Sequence, residues 1–182
     1  MPLPPDDINA DILPRDFELL IKDYLVDLGK ELKTFEAIHD LHLKRTDGEY
    51  QIDVYAEFEL LGASFKVLVE CKRHKNKIKR EVVQLLYDKL RATGAQKGMI
   101  FSTSGFQEGA KLYASEHGIA LVHVIEGRYT YSTKSKDSPN FAPPSWANAP
   151  KYVGAYEDGA SICYLQKGYL EPLSEFLFGA NC

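Results

Sequence analysis

Apolar residues along the chain follow two kinds of spacing, which predict alternating helices and strands. Intervals of three or four residues, typical of one helix face, occur in three segments: 14–31, 79–93 and 105–117. Two-residue alternation or a short apolar run, typical of strands, occurs in five segments: 34–45, 51–60, 65–72, 98–103 and 119–125. Ser104 followed by Gln107 predicts a capping box for the third helix. The order α-β-β-β-α-β-α-β predicts an α/β or α+β domain with a mixed central sheet flanked by helices.

The segments 51–60 and 65–72 are expected to form a hairpin closed by Gly62 and Ala63. A type II′ turn at these two residues pairs positions whose numbers sum to 125. A slip of one residue would mix apolar and polar positions, so the pattern determines which residues share a face. The predicted apolar face carries Ile52, Val54, Ala56, Phe58, Leu60, Phe65, Val67, Val69 and Cys71.

The opposite face of this hairpin carries the candidate chemistry. The predicted register places Asp53 beside Lys72 and diagonal to Glu70. Two converging carboxylates can share a hard divalent cation, and Mg²⁺ prefers one or two carboxylates together with phosphate oxygens and water. An adjacent ammonium can stabilise the charge that develops on a phosphate. The triplet fits metal-assisted phosphodiester hydrolysis, although three such charges are more often a solvated sheet face with a salt bridge.

Composition places the chain among ordinary globular proteins. Its 182 residues are 45% hydrophobic and 26% charged, which is typical of one folded domain rather than a disordered chain. There is no run of about 18 apolar residues, and the first residues do not resemble a signal peptide. Three cysteines provide neither a disulfide framework nor a paired metal motif. We therefore expect a cytoplasmic protein with reduced thiols and no membrane segment.

The formal net charge of −4 argues against a nucleic-acid partner only if the charge is evenly distributed. Residues 72–80 contain six Lys and Arg side chains, one His and no acid. The other 173 residues carry −10, from 16 Lys and Arg against 26 Asp and Glu. Because salt screens exposed charges beyond about 8–10 Å, a polyanion would respond mainly to the local basic cluster.

The chain changes character after residue 126. Residues 137–150 contain four of the nine prolines, which predicts a linker or an irregular segment. Ten of the 21 aromatic residues lie from position 127 onward. This predicts a segment that packs on the main domain or on a second subunit, with a nucleotide-stacking surface as the alternative. We therefore divide the chain into an N-terminal arm (1–13), a core (14–126) and a C-terminal extension (127–182).

Short motifs between residue 16 and about residue 125 carry a family resemblance. They are Asp16-Phe17-Glu18, Leu28-Gly29, Asp47 to Val54, Val69-Glu70-Cys71-Lys72-Arg73, Gly94 to Gly98, Ser102 to Phe106, and Gly118 to Leu121. On these motifs the chain resembles the PD-(D/E)xK nucleases of the restriction-endonuclease-like superfamily, and in particular the Mrr catalytic domain. The Ser-Gly-Phe element and the Lys-Gly before its strand make the Mrr-like match fairly specific.

The resemblance implies a restriction-endonuclease-like core and assigns roles to the hairpin residues. Asp53 and Glu70 correspond to ligands of Mg²⁺ or Mn²⁺, and Lys72 corresponds to the catalytic lysine. The backbone carbonyl of Cys71 corresponds to a further ligand, while its thiol is expected to be structural.

The resemblance also implies accessory residues. Glu18 matches a first-helix acid that many relatives direct at the metal, with a plain surface glutamate as the alternative. Gln84 matches a polar accessory position on the helix after the lysine. Candidate nucleic-acid contacts are Arg73, His74, Lys75, Lys77, Lys79, Arg80 and Ser104.

The function that the resemblance implies is a Mg²⁺-dependent deoxyribonuclease of the restriction or defence type. Double-strand cleavage needs two sites, so a homodimer is expected. The chain carries no Gly-rich phosphate loop, so no nucleotide cofactor is expected within it. Two alternatives stay open: a structure-selective nuclease like the junction resolvases, and a catalytically silent nucleic-acid-binding module.

Overall fold

The computed structural model describes residues 10–32, 34–60, 62–127, 150–158 and 161–179. Within these residues one sheet contains seven strands that lie side by side in chain order. The strands are β1 (Phe35–Arg45), β2 (Gly48–Leu60), β3 (Ala63–Lys72), β4 (Lys97–Ser102), β5 (Ile119–Glu126), β6 (Tyr152–Asp158) and β7 (Ser161–Leu165). The helices are α1 (Pro14–Leu28), α2 (Arg80–Thr93), α3 (Glu108–Glu116) and α4 (Glu171–Phe178), and a short 3₁₀ turn (Gly29–Glu31) follows α1.

The sheet is mixed, as predicted. β1, β2 and β3 form an antiparallel meander, whereas β3, β4 and β5 run parallel because α2 and α3 cross between them. β6 and β7 return to antiparallel pairing beyond β5. The predicted α/β class is therefore confirmed, and the parallel centre brings the carboxyl ends of β3, β4 and β5 to one edge of the sheet.

Two apolar cores cover the two faces of the sheet and make a three-layer structure. The first core joins the sheet to α1 and α4, through buried side chains such as Phe17, Leu25 and Leu173. The second core joins it to α2 and α3, through side chains such as Leu86 and Ala110. Part of the predicted N-terminal arm also belongs to the first core, because Ile12 is buried there. Residues 1–9 lie outside the described structure.

Two helix ends illustrate what local sequence can and cannot determine. Gly94 ends α2 in the left-handed conformation, with φ +72°, and its N–H donates to the carbonyl of Leu90 at 2.9 Å. The predicted capping box is wrong, because Gln107 is the N-cap of α3 and makes no side-chain cap hydrogen bond. The Ser104 hydroxyl instead donates to the carbonyl of Asn76 at 2.8 Å. A long-range partner therefore outcompetes the local cap.

The register of the β2–β3 hairpin differs from the predicted one by two residues. Leu60 pairs with Ala63 and Val54 with Val69, so the numbers of paired residues sum to 123 rather than 125. Gly62 lies within the turn with φ +81°. A shift of two residues does not by itself move a side chain to the other face. It changes which residues stand directly opposite each other.

The predicted apolar face of the hairpin is wrong at Ile52. Val54 belongs to the first core, whereas Ile52 packs in the second core, on the other side of the sheet. On β1, opposite this point, Asp40 adopts a left-handed backbone with φ +54°, which is rare in a strand. The β1–β2 ladder pairs His39 with Val54 and Leu41 with Ile52, on either side of Asp40. The regular alternation of faces is therefore interrupted just where Asp53 lies.

The C-terminal extension completes the sheet and the first core. Tyr152, Tyr156, Phe176 and Phe178 pack against that core, and Phe178 meets Phe58 edge to face at 5.1 Å. Residues 128–149, which include most of the predicted linker, lie outside the described structure. Within the described ranges, no helix is both long enough and apolar enough to cross a membrane.

Candidate active site

Asp53, Glu70 and Lys72 converge at the carboxyl end of β3. The Lys72 ammonium nitrogen lies 2.6 Å from Oε2 of Glu70 and 3.9 Å from Oδ2 of Asp53. The side chains of Asp53, Glu70 and Lys72 are 19%, 6% and 28% exposed. Lys72 thus bridges two carboxylates that are largely withdrawn from water. The register shift moves the direct neighbour of Asp53 from Lys72 towards Glu70, but the three groups still meet.

The Asp53 carboxylate accepts a backbone hydrogen bond just beyond the end of the β2–β3 ladder. The last ladder pair is Val54 with Val69, and beyond it the backbone N–H of Cys71 donates to Oδ2 of Asp53 at 2.7 Å. Burial raises the pKa of the Asp53 carboxyl, and the negative charge of Glu70 raises it further. The strand end therefore fixes one carboxylate oxygen in a place where ionisation is unfavourable even with the Lys72 charge nearby.

The Lys72 side chain is held in its charged form. Burial alone would lower the pKa of its ammonium, but the charge and hydrogen bond of Glu70, together with the charge of Asp53, outweigh burial and raise the pKa. Lys72 is therefore a cation at neutral pH, suited to donate hydrogen bonds to a phosphate oxygen.

A fourth member of the site, Lys89, was not predicted from the sequence. This α2 residue donates from its ammonium to Oε1 of Glu70 and, at 2.8 Å, to the backbone carbonyl of Gln51. Glu70 is thus held between two lysines, one on each oxygen. Lys89 lies three residues after buried Leu86, at the border of the apolar stripe of α2. This position is the only local feature of the sequence that indicates a lysine directed towards the sheet.

Glu18 and His39 form a pair close to the site. Nε2 of His39 and Oε2 of Glu18 are 2.5 Å apart, and both side chains are about one-quarter exposed or less, at 22% and 24%. The negative charge of Glu18 adds a small contribution to the raised pKa of Asp53. The predicted first-helix acid therefore faces this end of the sheet, with His39 as its hydrogen-bond partner.

Cys71 contributes its backbone to the site and its side chain to the core. The thiol packs against the first core, and burial raises its pKa well above the ordinary value. A protonated, buried thiol is a poor nucleophile. The Cys71 N–H is already bound to Asp53, which leaves its carbonyl as the candidate metal-binding group.

Gln84 is not brought to the site. Its side chain is exposed on α2. It lies five residues before Lys89, which corresponds to about 140° around the helix. The α2 residue that meets the strand end is therefore Lys89.

The basic segment after β3, residues 73–80, is fastened beside the site by backbone hydrogen bonds. The N–H of Thr103 donates to the carbonyl of Lys72 at 3.0 Å, and the N–H of Ile78 donates to the carbonyl of Gly105 at 2.8 Å. Ser104, predicted to contact nucleic acid, is 1% exposed, and its hydroxyl donates to the carbonyl of Asn76 and so holds this segment. The exposed basic side chains and the exposed imidazole of this segment are Arg73, His74, Lys75, Lys79 and Arg80, and Lys77 is half-buried.

The oxygen groups at the strand end fit a hard divalent cation. Among the described residues no group of three or more His, Cys, Asp or Glu side chains forms a metal centre, so a cation here would rely on the two carboxylates of Asp53 and Glu70. Mg²⁺ uses few carboxylates and completes its shell with carbonyl, water and phosphate oxygens. The raised pKa of Asp53 is the electrostatic penalty that such a cation would relieve.

Comparison with known proteins assigns the class. Residues 10–126 match the family model Mrr_cat, described as restriction endonuclease, and the chain belongs to this family. It is 32% identical over 114 residues to the type IV methyl-directed restriction enzyme EcoKMrr of Escherichia coli (strain K12). That match covers 61% of this chain and 35% of EcoKMrr, so the chain spans about a third of that relative's length.

Two solved structures illustrate the similarity of this chain to known folds. The crystal structure of a protein of unknown function, AF1548, is 26% identical with a TM-score of 0.45, covering 57% of this chain and 56% of that one. The MspJI restriction endonuclease in complex with a 27-mer oligonucleotide is 18% identical with a TM-score of 0.43, covering 59% of this chain and 25% of that one.

Proposed function

We propose that this chain is a Mg²⁺- or Mn²⁺-dependent endonuclease that hydrolyses DNA phosphodiester bonds, of the restriction or defence type. The observation that carries the proposal is the convergence of Asp53, Glu70 and Lys72 at the end of β3, beside an exposed basic segment. Membership of the restriction endonuclease family supports the reaction class.

The chain's own residues provide most of what hydrolysis requires. Asp53 and Glu70 would hold the cation, with the Cys71 carbonyl as a further oxygen, and the Cys71 N–H keeps the Asp53 carboxylate in place. A bound divalent cation polarises a phosphate and lowers the pKa of water. Lys72 donates its ammonium hydrogens to the phosphate oxygens, where negative charge increases during reaction.

DNA would approach along the basic segment. Lys and Arg side chains contact phosphates without reading sequence, and they position the backbone at the carboxylates. The 173 residues outside 72–80 carry a formal charge of −10, which opposes binding of DNA elsewhere. Because one chain provides one site, cutting both strands at one position calls for a homodimer.

The test is cleavage of supercoiled plasmid by the purified chain. We expect nicking and linearisation with Mg²⁺ or Mn²⁺, none with a chelator, and none for Asp53→Ala, Glu70→Ala or Lys72→Ala. Lys66→Ala is the matched control, since Lys66 lies on the same face of β3 but pairs with Glu57. Cutting by Glu70→Ala at the wild-type rate would refute the site.

Substrate choice separates the remaining alternatives. A panel of methylated and unmethylated plasmid, nicked duplex, flaps and four-way junctions distinguishes a restriction enzyme from a structure-selective nuclease. Salt-sensitive DNA binding without turnover on any substrate would instead identify a silent binding module.

A further inference from the structure

The Lys89–Glu70 contact joins a helix to the metal-binding end of the sheet. The Lys89 side chain leaves α2 and its ammonium reaches two oxygens of different strands, Oε1 of Glu70 on β3 and the carbonyl of Gln51 on β2. The Glu70 side chain is 6% exposed and that of Lys89 is 24% exposed. A lysine in such a place is a fixed cation rather than a mobile surface charge.

Each carboxylate oxygen of Glu70 accepts a hydrogen bond from a lysine ammonium. Oε2 accepts from Lys72 at 2.6 Å, and Oε1 accepts from Lys89. The two carboxylates of Asp53 and Glu70 are thus balanced by two ammonium groups, so this cluster has a net charge near zero before any metal binds. Lys72 can turn towards a substrate phosphate, but Lys89 is tied to the strand by its second hydrogen bond to Gln51.

We propose that Lys89 is a built-in counter-cation of Glu70 that weakens divalent-cation binding to the DNA-free protein. This inference rests on the proposed function only in taking Asp53 and Glu70 as the metal ligands. A Mg²⁺ or Mn²⁺ ion bound to Glu70 lies close to the Lys89 charge, and the repulsion is strong because both groups are shielded from water. Tight metal binding then requires the additional negative charge of a DNA phosphate.

A purely positioning role for Lys89 predicts the opposite result. If Lys89 only orients the Glu70 carboxylate, its loss would let that carboxylate rotate and would weaken metal binding. If Lys89 competes electrostatically, its loss leaves a more negative site and strengthens metal binding. The sign of the change in metal affinity therefore distinguishes the two roles.

The experiment measures Mn²⁺ binding to the full chain without DNA, by the electron paramagnetic resonance signal of free Mn²⁺. For Lys89→Met we expect a dissociation constant about tenfold lower than wild type. Lys89→Arg keeps the charge and should bind Mn²⁺ like wild type. Arg91→Met removes one charge from an exposed position of the same helix and should leave the constant within about twofold. Adding Glu70→Gln to Lys89→Met should abolish the gain.

Each outcome decides the proposal. An unchanged or higher dissociation constant in folded Lys89→Met overturns it, and so does undetectable binding in both wild type and Lys89→Met. Lys89→Gln replaces Lys89→Met if the latter does not fold by circular dichroism. If Mn²⁺ binds more tightly to Lys89→Met but wild type cuts no DNA, the proposed function fails while the counter-cation role stands.

Discussion

Two carboxylate sites on β2 and β3, one at Glu57 and one at Asp53, differ in whether their surroundings favour the ionised form. Glu57 on β2 stands opposite Lys66 on β3 and accepts hydrogen bonds from Tyr55 at 2.6 Å and Ser64 at 2.5 Å. These bonds, with that from Ser64 the larger influence, lower the pKa of the Glu57 carboxyl despite some burial. At the other end of the hairpin, burial and the neighbouring Glu70 raise the pKa of Asp53. The surroundings of Glu57 favour its ionised form, whereas those of Asp53 oppose ionisation.

The difference arises from the surroundings rather than from residue type. Two hydroxyls donate hydrogen bonds to Glu57, and the Lys66 charge opposite it stabilises the anion further. Asp53 lies beside a second carboxylate. The two lysines at that end donate hydrogen bonds to Glu70, and the Lys72 ammonium lies 3.9 Å from Oδ2 of Asp53. Carboxylates whose ionisation is opposed by their surroundings are typical of functional sites. Four predictions test this contrast, from the largest expected effect to the smallest.

The largest effect is expected on catalysis. Glu70→Gln keeps the shape of the side chain but removes one charge, and we expect metal-dependent plasmid cleavage to fall by about 10³-fold. Glu57→Gln makes the same change on β2 and should leave the rate within about twofold. Comparable losses in both variants would mean that the hairpin contributes only to folding.

The second effect concerns DNA affinity. Replacing Arg73, Lys75 and Lys79 by Ala should weaken duplex binding by roughly tenfold or more at about 0.1 M salt, because phosphate contacts are lost. The slope of log affinity against log salt should fall by about 2 to 3. Fluorescence anisotropy with a labelled duplex measures both quantities.

The control for this triple variant removes three charges elsewhere. Lys44, Lys151 and Lys167 are exposed and lie outside the basic segment. Their replacement by Ala should leave the salt slope nearly unchanged. An equal loss of affinity in the two triple variants would show that total charge, rather than its location, governs binding.

The third effect is on stability and has an unusual sign. Asp53 has a raised pKa in the folded protein, so between the ordinary and the raised value the folded state binds more protons than the unfolded one. The free energy of unfolding therefore falls as pH rises through this window. Asp53→Asn removes the penalty, and we expect it to be more stable than wild type at pH 7 by on the order of 1 kcal/mol.

Thermal unfolding at several pH values checks this prediction. The advantage of Asp53→Asn should shrink below the ordinary pKa of the carboxyl, where Asp53 is protonated in both states. Mn²⁺ should raise the melting temperature of wild type and not that of the variant. Lower stability of Asp53→Asn at pH 7 would contradict the account of the Asp53 environment.

The smallest effect is expected at Glu57. Its lowered pKa means that its ionised form stabilises the fold above the ordinary carboxyl pKa and that this contribution is lost as pH falls through the folded-state value. Glu57→Gln should lower the free energy of unfolding by a few tenths of a kcal/mol at pH 7, since the Glu57 and Lys66 side chains are partly solvated. Urea unfolding at pH 7 and pH 3 should give a difference only at the higher pH.

Much of the fold follows from the sequence because local patterns determine it. Apolar spacing predicts the core helices and strands, and Gly94 ends α2 where a left-handed residue is needed. The same alternation predicts which hairpin residues share a face but not the register, because a shift of two residues preserves every face. The left-handed backbone of Asp40, beside the point where Ile52 lies on the other face, is not indicated by any apolar pattern.

The site was predictable only in part, for a related reason. Asp53, Glu70 and Lys72 lie on adjacent strands, so pairing brings them together from a short stretch of chain. Lys89 and the His39 partner of Glu18 reach the site through packing between distant elements. The strands β6 and β7 were likewise not foreseen, since they join the sheet through β5 after a long intervening segment.

Anomalous diffraction from crystals soaked in MnCl₂ tests the metal site most directly. We expect one Mn²⁺ peak within ligand distance of carboxylate oxygens of both Asp53 and Glu70, with the Lys72 ammonium displaced from between them. A peak elsewhere, or no peak while Lys72 still bridges the two carboxylates, would contradict the assignment of these residues as the metal ligands.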